Sequence, residues 1–322
     1  MYFDPLAVGW SMRAAWDWDL PRETDVEQRQ LVETAAGLGF DTLVSKNVTA
    51  TMADHATAHG ITTVEVVTAR ASESFAADHP DCLQALAPAD QGIVDALRAE
   101  STDHRRRAHW KFPLILDYDL VCYEHEASVA LLESRIEDAL AVADGVAFDG
   151  FGFRNQYACH CDLCLHRRAE VDSVHEHLAA ATVAESQLLD IGEHLYNAVK
   201  QQDADAIAMN HVWPPFNPNP RYASQLRLDY CTQTIAWFHR PHWSIDRVRF
   251  EARRHRELAG DANVFVPFIG MADAELSRRP PERLRAELEI ALEYGDGHVV
   301  LSTLAVPAAH EAHADVVREL LD

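Results

Sequence analysis

The chain has 322 residues, 48% of them hydrophobic, which is enough to bury a large core in one barrel or two smaller domains. Its 51 acidic residues outnumber 28 basic ones, for a net charge of −23, and a surface of that sign repels nucleic-acid phosphates. No apolar run reaches the roughly 18 residues of a membrane span, and the start, MYFDPLAVGW, lacks the pattern of a secretory signal.

These features lead us to expect a soluble cytoplasmic protein. Lysine is confined to Lys46, Lys111 and Lys200, so arginine carries most of the positive charge. Such acidity keeps a chain hydrated at high salt and strains it by self-repulsion at low salt, as expected of a halophilic source. The run Arg105, Arg106 and Arg107 reads as a solvated loop or an ion-pairing element.

Short apolar runs alternate with segments of helical period along the chain. The expected strands are Leu6–Trp10, Thr42–Ser45, Thr62–Val67, Gly145–Phe148, Ala206–His211, Leu226–Tyr230, Val264–Ile269 and Val299–Ser302, with 112–118 as a competing segment. Between them, Val129, Leu132, Ile136, Ala139 and Leu140 mark one apolar helix face. Stretch 173–200 marks a longer helix, and 284–292 marks another that starts at Pro280 and Pro281.

About eight such alternations predict a single (β/α)₈ barrel domain over 1–322, with its site at the carboxyl ends of the strands. Residues 70–110 are less regular and read as an excursion over the mouth before the fourth strand. An open doubly wound sheet is the alternative, but no G-x-G-x-x-G follows the first strand and no phosphate-binding G-x-x-x-x-G-K occurs.

Chemistry concentrates in the middle of the chain. The run CHCDLC places Cys159, Cys161 and Cys164 at a spacing that folds back as turns and directs several sulfurs toward one soft ion. Cys122 is the best fourth ligand, with His160 and His166 as substitutes; Cys82 and Cys231 read as small buried residues. The spacing does not match the usual iron–sulfur patterns.

Just before that run, DGVAFDGFGFR sets Asp149 at the end of an apolar strand ahead of two glycines that permit a sharp turn. In a barrel, Trp10, Lys46, Asn210, His211 and Trp213 fall beside the same mouth. Lys46 and Arg154 are candidates to bind an anionic substituent or to pair with carboxylates. Trp10, Trp16, Trp18 and Trp213 are candidate stacking faces.

The succession of a cysteine after an apolar strand, a helix, DGVAFDGFGFR and a C-x-C-x-x-C resembles the central part of barrel glycoside hydrolases, over roughly residues 112–170. The closing ALEYGDGHVVLSTL is similar to their last helix and strand. The layout of Cys122 with Cys159, Cys161 and Cys164 is also similar to the structural zinc site of a family of microbial β-galactosidases, where the metal braces a loop beside the site. That family carries an Asn-Glu pair on its fourth strand, whereas this chain has Phe148, Asp149 and Gly150, so Asp149 more resembles the strand-four aspartate nucleophile of other barrel glycosidases.

The resemblance implies cleavage of a glycosidic bond in a carbohydrate by two carboxyl groups, with structural zinc nearby. Asp229, at the end of LRLDY, is the first choice to partner Asp149; Asp117 and Asp119, from ILDYD, follow as partners or substrate contacts. Two further readings stand beside this one: a zinc-dependent hydrolase or transferase with an open coordination position, and a non-catalytic carbohydrate-binding barrel.

Overall fold

The computed structural model describes residues 11–17, 24–100, 116, 118–155, 158–173, 175–212, 226–236, 242–259, 263–271 and 278–321. Eight parallel strands close a barrel in sequential order: β1 (Arg13–Trp16), β2 (Thr42–Ser45), β3 (Thr62–Thr68), β4 (Gly145–Asp149), β5 (Ile207–Val212), β6 (Tyr230–Ala236), β7 (Val264–Gly270) and β8 (Val299–Ser302). This is the (β/α)₈ barrel expected from the alternation of short apolar runs and helical segments.

Helices cover the strands. They are α1 (Asp25–Gly37), α2 (Ala50–Ala58), α3 (Glu73–Asp78), α4 (Pro88–Glu100), α5 (Glu126–Leu140), α6 (Asp162–Ala169), α7 (Glu176–Gln202), α8 (Ile245–Ala259), α9 (Pro281–Tyr294), α10 (Ala305–Ala309) and α11 (Glu311–Leu321). Local chemistry starts several of them. Thr24 and Glu27 form a reciprocal cap on α1, Thr49 caps α2, and α9 begins at Pro281, whose missing N–H would have lacked a helical partner anyway.

Alternation along the strands sorts side chains into two cores. Ala14, Trp16, Val44, Val64, Val66, Ala147, Met209, Tyr230, Val266, Phe268 and Val300 fill the lumen. Residues of the other parity, such as Val146, Phe148 and Ala208, pack outward with α5 and α7. Gly145 lets β4 approach β5, because a Cβ there would stand 2.6 Å from the Cβ of Ile207.

Two expected strands are displaced. The first barrel strand is Arg13–Trp16, while Leu6–Trp10 lies outside the described residues. The sixth is Tyr230–Ala236, not Leu226–Tyr230. Leu226 and Leu228 are buried as a lead-in, with Leu226 seated over Gly192 of α7. The true strand, YCTQTIA, is buried at every position, so it shows no polar face to betray its period. The barrel closes without 112–118, of which 112–115 and 117 lie outside the described residues.

The connection from β3 to β4 carries α3, a 3₁₀ turn at Pro80–Cys82, α4 and α5, with 101–115 outside the described residues. Short antiparallel bridges, Arg70 with Leu120 and Leu83 with Val121, tie its two limbs together. Gln84 then fastens them to the loop after β4: its Nε2 donates to Val121 O (3.1 Å) and Gly152 O (3.0 Å), and its Oε1 accepts from Arg154 N (3.1 Å). Among the described residues, no helix is long and apolar enough to cross a membrane.

Candidate active site and cysteine cluster

Asp149 is the last residue of β4 and shares the parity of Ala147, which points it into the upper lumen. The chain leaves it through Gly150 at φ 67°, a left-handed conformation that costs glycine little. Opposite Asp149 in the parallel register stands His211 of β5. Its Nδ1 lies 3.1 Å from Asp149 Oδ1, and its Nε2 lies 3.0 Å from Thr234 Oγ1 on β6.

The imidazole is fully enclosed. It stacks on Phe268 at 4.0 Å between ring centroids and meets Trp16 at 5.3 Å, so three rings from β1, β5 and β7 floor the lumen beneath the carboxylate. Burial lowers the His211 pKa, with Asp149 pulling the other way, so the ring is neutral near pH 7. A neutral ring has one N–H, and an Nδ1–H donated to Asp149 leaves Nε2 to accept from the Thr234 hydroxyl. Asp149 itself keeps 12% of its side chain exposed, the only opening in this chain of contacts.

The structure separates Asp229 from this centre. With β6 starting at Tyr230, Asp229 sits at the amino end of the strand, level with Ala208 and hence with Val146. Three residues along a strand, about 10 Å, divide that level from Asp149. There Asp229 Oδ2 accepts from Ala208 N at 2.8 Å and pairs with Lys200 Nζ at 2.7 Å. Asp229 thus lies at the amino end of the barrel, at the opposite end of the strands from Asp149.

Asn210 is likewise redirected. Its parity on β5 is opposite to that of Met209 and His211, so it faces outward, and its Oδ1 accepts from Thr232 N at 2.9 Å. Trp16 is buried to 0% exposure and presents no face to a ligand. Lys46 follows β2 half-buried, and its charge acts on Glu65, whose carboxylate accepts from Asn47 N and Val48 N. Trp10, Trp18, Trp213 and Asp117 lie outside the described residues.

Arg154 and Asp119 meet in an ion pair of 2.9 Å in which the arginine side chain is 7% exposed and the carboxylate 37%. The pair joins the loop after β4 to the 116–119 segment, whose Leu116 N donates to Arg154 O. Tyr123 adds a second tie, because its hydroxyl donates to Gly152 O and accepts from Gly152 N. The carboxylate end of β4 is thus bordered by a shelf built from a segment roughly 30 residues earlier.

The cysteine cluster sits in that shelf. The sulfurs of Cys122, Cys159, Cys161 and Cys164 all lie within 4.8 Å of one another, and Cys122 Sγ is 3.6 Å from both Cys161 Sγ and Cys164 Sγ. A disulfide needs about 2.05 Å. Tetrahedral zinc thiolates with bonds of about 2.3 Å have sulfur–sulfur edges of about 3.8 Å, and the cluster fits that geometry.

Its surroundings suit thiolates. Cys161 N donates to Cys159 Sγ at 3.3 Å and Gln187 Nε2 donates to Cys164 Sγ at 3.2 Å. Hydrogen bonding with Cys122 holds the Cys159 and Cys161 thiols below their ordinary range, while hydrogen bonding with Cys159 and Cys161 holds that of Cys122 above it. Gln187 is fixed in turn by Glu124, which pairs with Arg167. His166 is 79% exposed beside Glu170, and His160 is outside the cluster, so neither replaces Cys122. Cys231 is a buried core residue whose thiol is pushed up to about 12 by burial.

Sequence reasoning missed Gln187, Thr234, Gln84 and Asp17. Gln187 carried a readable signal, because it falls on the buried stripe of α7 with Val183, Ala184, Leu188 and Ile191. Asp17, 2% exposed just after β1, was hidden by the displaced first strand.

No protein-family model matches the chain, and no curated protein matches it in sequence. Its fold is similar to those of solved glycoside hydrolases. An α-L-fucosidase isoenzyme from Paenibacillus thiaminolyticus superposes with a TM-score of 0.61 at 12% identity, covering 97% of this chain and 49% of that one. A polyextremophilic β-galactosidase from the haloarchaeon Halorubrum lacusprofundi gives 0.65 at 12%, covering 91% and 52%. The PgaB (BpsB) glycoside hydrolase domain from Bordetella bronchiseptica gives 0.63 at 11%, covering 97% and 99%. The chain therefore spans about half the length of the first two proteins and nearly all of the third domain. At these identities the likeness is one of fold: a glycosidase-like barrel with a four-cysteine cluster able to hold a metal ion.

Proposed function

We propose that the protein is a glycoside-hydrolase-like enzyme that acts on a carbohydrate or glycoconjugate at the carboxyl end of the barrel, with Asp149 as its central carboxylate. The observation that carries this reading is the setting of Asp149. It ends β4 in the upper lumen, is held from below by neutral His211, and keeps 12% of its side chain exposed. A carboxylate so placed can attack an anomeric carbon or activate water.

With Asp229 committed to Lys200, the partner carboxyl is assigned to the 117–119 segment, of which Asp119 is described. Arg154 orients Asp119 through their 2.9 Å ion pair, and this carboxylate serves as base or charge stabiliser. Lys46, Arg154 and the tryptophans Trp10 and Trp213 remain candidates for substrate contact.

The four cysteines are assigned a structural zinc ion. Four thiolates close the coordination sphere of a tetrahedral ion, which favours bracing of the loop after β4 over a metal-centred reaction. The zinc-dependent enzyme is therefore the weaker alternative.

The test is Asp149→Asn assayed on a panel of aryl glycosides that includes galactosides and fucosides, with circular dichroism as the folding control. Turnover of the best substrate should fall by about 10²–10⁴-fold. Full activity in the folded variant would sink the assignment, and a wild type inert on every glycoside but binding oligosaccharide would favour the non-catalytic barrel.

A further inference from the structure

Outside the cysteine cluster, one other group of side chains among the described residues converges as metal ligands do. Asp81 and Cys82 lie in the 3₁₀ turn after α3, and His125 is the residue that precedes α5. One ligand atom from each lies within 4.8 Å of the other two, with Cys82 Sγ 4.0 Å from Asp81 Oδ1. His125 Nε2 is fully shielded from solvent and has no hydrogen-bond partner. A buried ring nitrogen without a partner is costly unless something fills its lone pair or takes its proton.

The backbone holds these three residues together independently of any ion. Cys82 O accepts from Cys122 N at 2.7 Å and from Ser128 Oγ at 3.2 Å, which locks the 3₁₀ turn against the first turn of α5. His125 O accepts from Ser128 N and Val129 N, which fixes the ring's own attachment point. Side-chain adjustments of about 1 Å bring oxygen, sulfur and nitrogen to the 2.0–2.3 Å bonds of a tetrahedral ion.

We propose that Asp81, Cys82 and His125 form a second metal site, for a divalent transition ion of borderline softness such as zinc or cobalt. Mixed carboxylate, thiolate and imidazole donors suit that class and disfavour magnesium and calcium, which take oxygen ligands. Cys82 is buried and Asp81 exposed, so the fourth position opens to water and the ion exchanges more readily than one enclosed by four cysteines. The site pins the turn after α3 to α5, next to Cys122, and does not depend on the glycosidase reading.

The experiment is metal counting on the full chain. Wild type, His125→Ala and Cys82→Ser are loaded with zinc, dialysed against metal-free buffer and measured by elemental analysis; cobalt titration in parallel follows thiolate-to-metal absorption. The wild type should hold one ion more than either variant and show a second, weaker cobalt phase that both variants lack. The cobalt spectrum of the four-cysteine site reports that the variants remain folded. Equal metal content in wild type and folded variants overturns the proposal. Should either core change unfold the chain, Asp81→Ala on the exposed ligand decides: affinity for the second ion should fall roughly tenfold or more, and an unchanged second phase overturns the site.

Discussion

Asp149 and His211 face each other across the tops of β4 and β5, with Oδ1 and Nδ1 3.1 Å apart and the ring clamped between Thr234 and Phe268. Because the imidazole is buried and neutral, it orients the carboxylate without adding a charge to the mouth. His211→Asn should therefore leave the fold intact and act through position. On a substrate that wild type cleaves, kcat should drop by about 10- to 100-fold with KM little changed, and a variant that loses only KM would contradict this role.

Asp229 makes the opposite prediction. Asp229→Ala removes the partner of Lys200 and an acceptor for Ala208 N at the amino end of the barrel. Denaturant unfolding should show a loss of about 3 kcal/mol while kcat is preserved. An inactive variant as stable as wild type would return Asp229 to the reacting centre.

Metal removal should act on the shelf beside the barrel mouth. Sulfur-edge or metal-edge absorption on zinc-loaded protein should count four sulfur ligands at the principal site, and Cys161→Ser should reduce that count. Stripping the ion with a chelator should make the 152–164 loop sensitive to protease before the barrel unfolds. Readdition at a thousandfold excess over Kd should restore about 4 kcal/mol.

Acid should weaken the fold through buried histidines. Burial, with Arg254 adding to it, lowers the His255 pKa to about 4, against about 6.5 in an unfolded chain. The unfolded state therefore binds the proton first, so stability is full above about pH 6.5 and declines as pH falls toward 4, by about 3 kcal/mol for this residue. His298 and His211 are shifted in the same direction, also chiefly by burial. Urea unfolding of wild type and His255→Leu across that window should show the stability difference moving in the variant's favour on acidification; a constant difference would remove His255 as a source.

Salt should act on the net charge of −23. Screening of like charges raises the midpoint of thermal unfolding as potassium chloride increases from low to molar concentration. A flat or falling Tm would separate the acidic composition from any need for salt.

The barrel was legible because six of its strands are apolar runs bounded by turn residues, and because α5, α7 and α9 carry long apolar stripes. The sixth strand escaped because Thr232, Gln233 and Thr234 are polar yet buried, while the neighbouring Leu226 and Leu228 imitate a strand and pack on α7. That single displacement carried Asp229 from one end of the barrel to the other. Likewise, Asn210 was visible as a strand-end residue but not its outward parity, which depends on the strand's first residue.

The cysteine cluster was legible for a different reason: short spacing dictates convergence for Cys159, Cys161 and Cys164 whatever the surrounding fold. Cys122 entered through resemblance and position. The contacts that complete the shelf, Gln84 to Gly152 and Arg154 to Asp119, join residues far apart in sequence and leave no local pattern.

Gln84 also sets an order of events for the newborn chain. Its partners lie 37, 68 and 70 residues downstream, so the first limb of the shelf can meet the second once Val121 is made but is fastened to the barrel only after the loop following β4 has been synthesised. Over that interval Cys82 and Cys122 wait as free thiols without the sulfurs that later enclose Cys122. A reducing environment, or early capture of an ion, then guards the nascent polypeptide against crosslinking. Any graft of the cysteine loop onto another barrel would need all three stretches, 82–85, 116–124 and 152–164, moved as one piece.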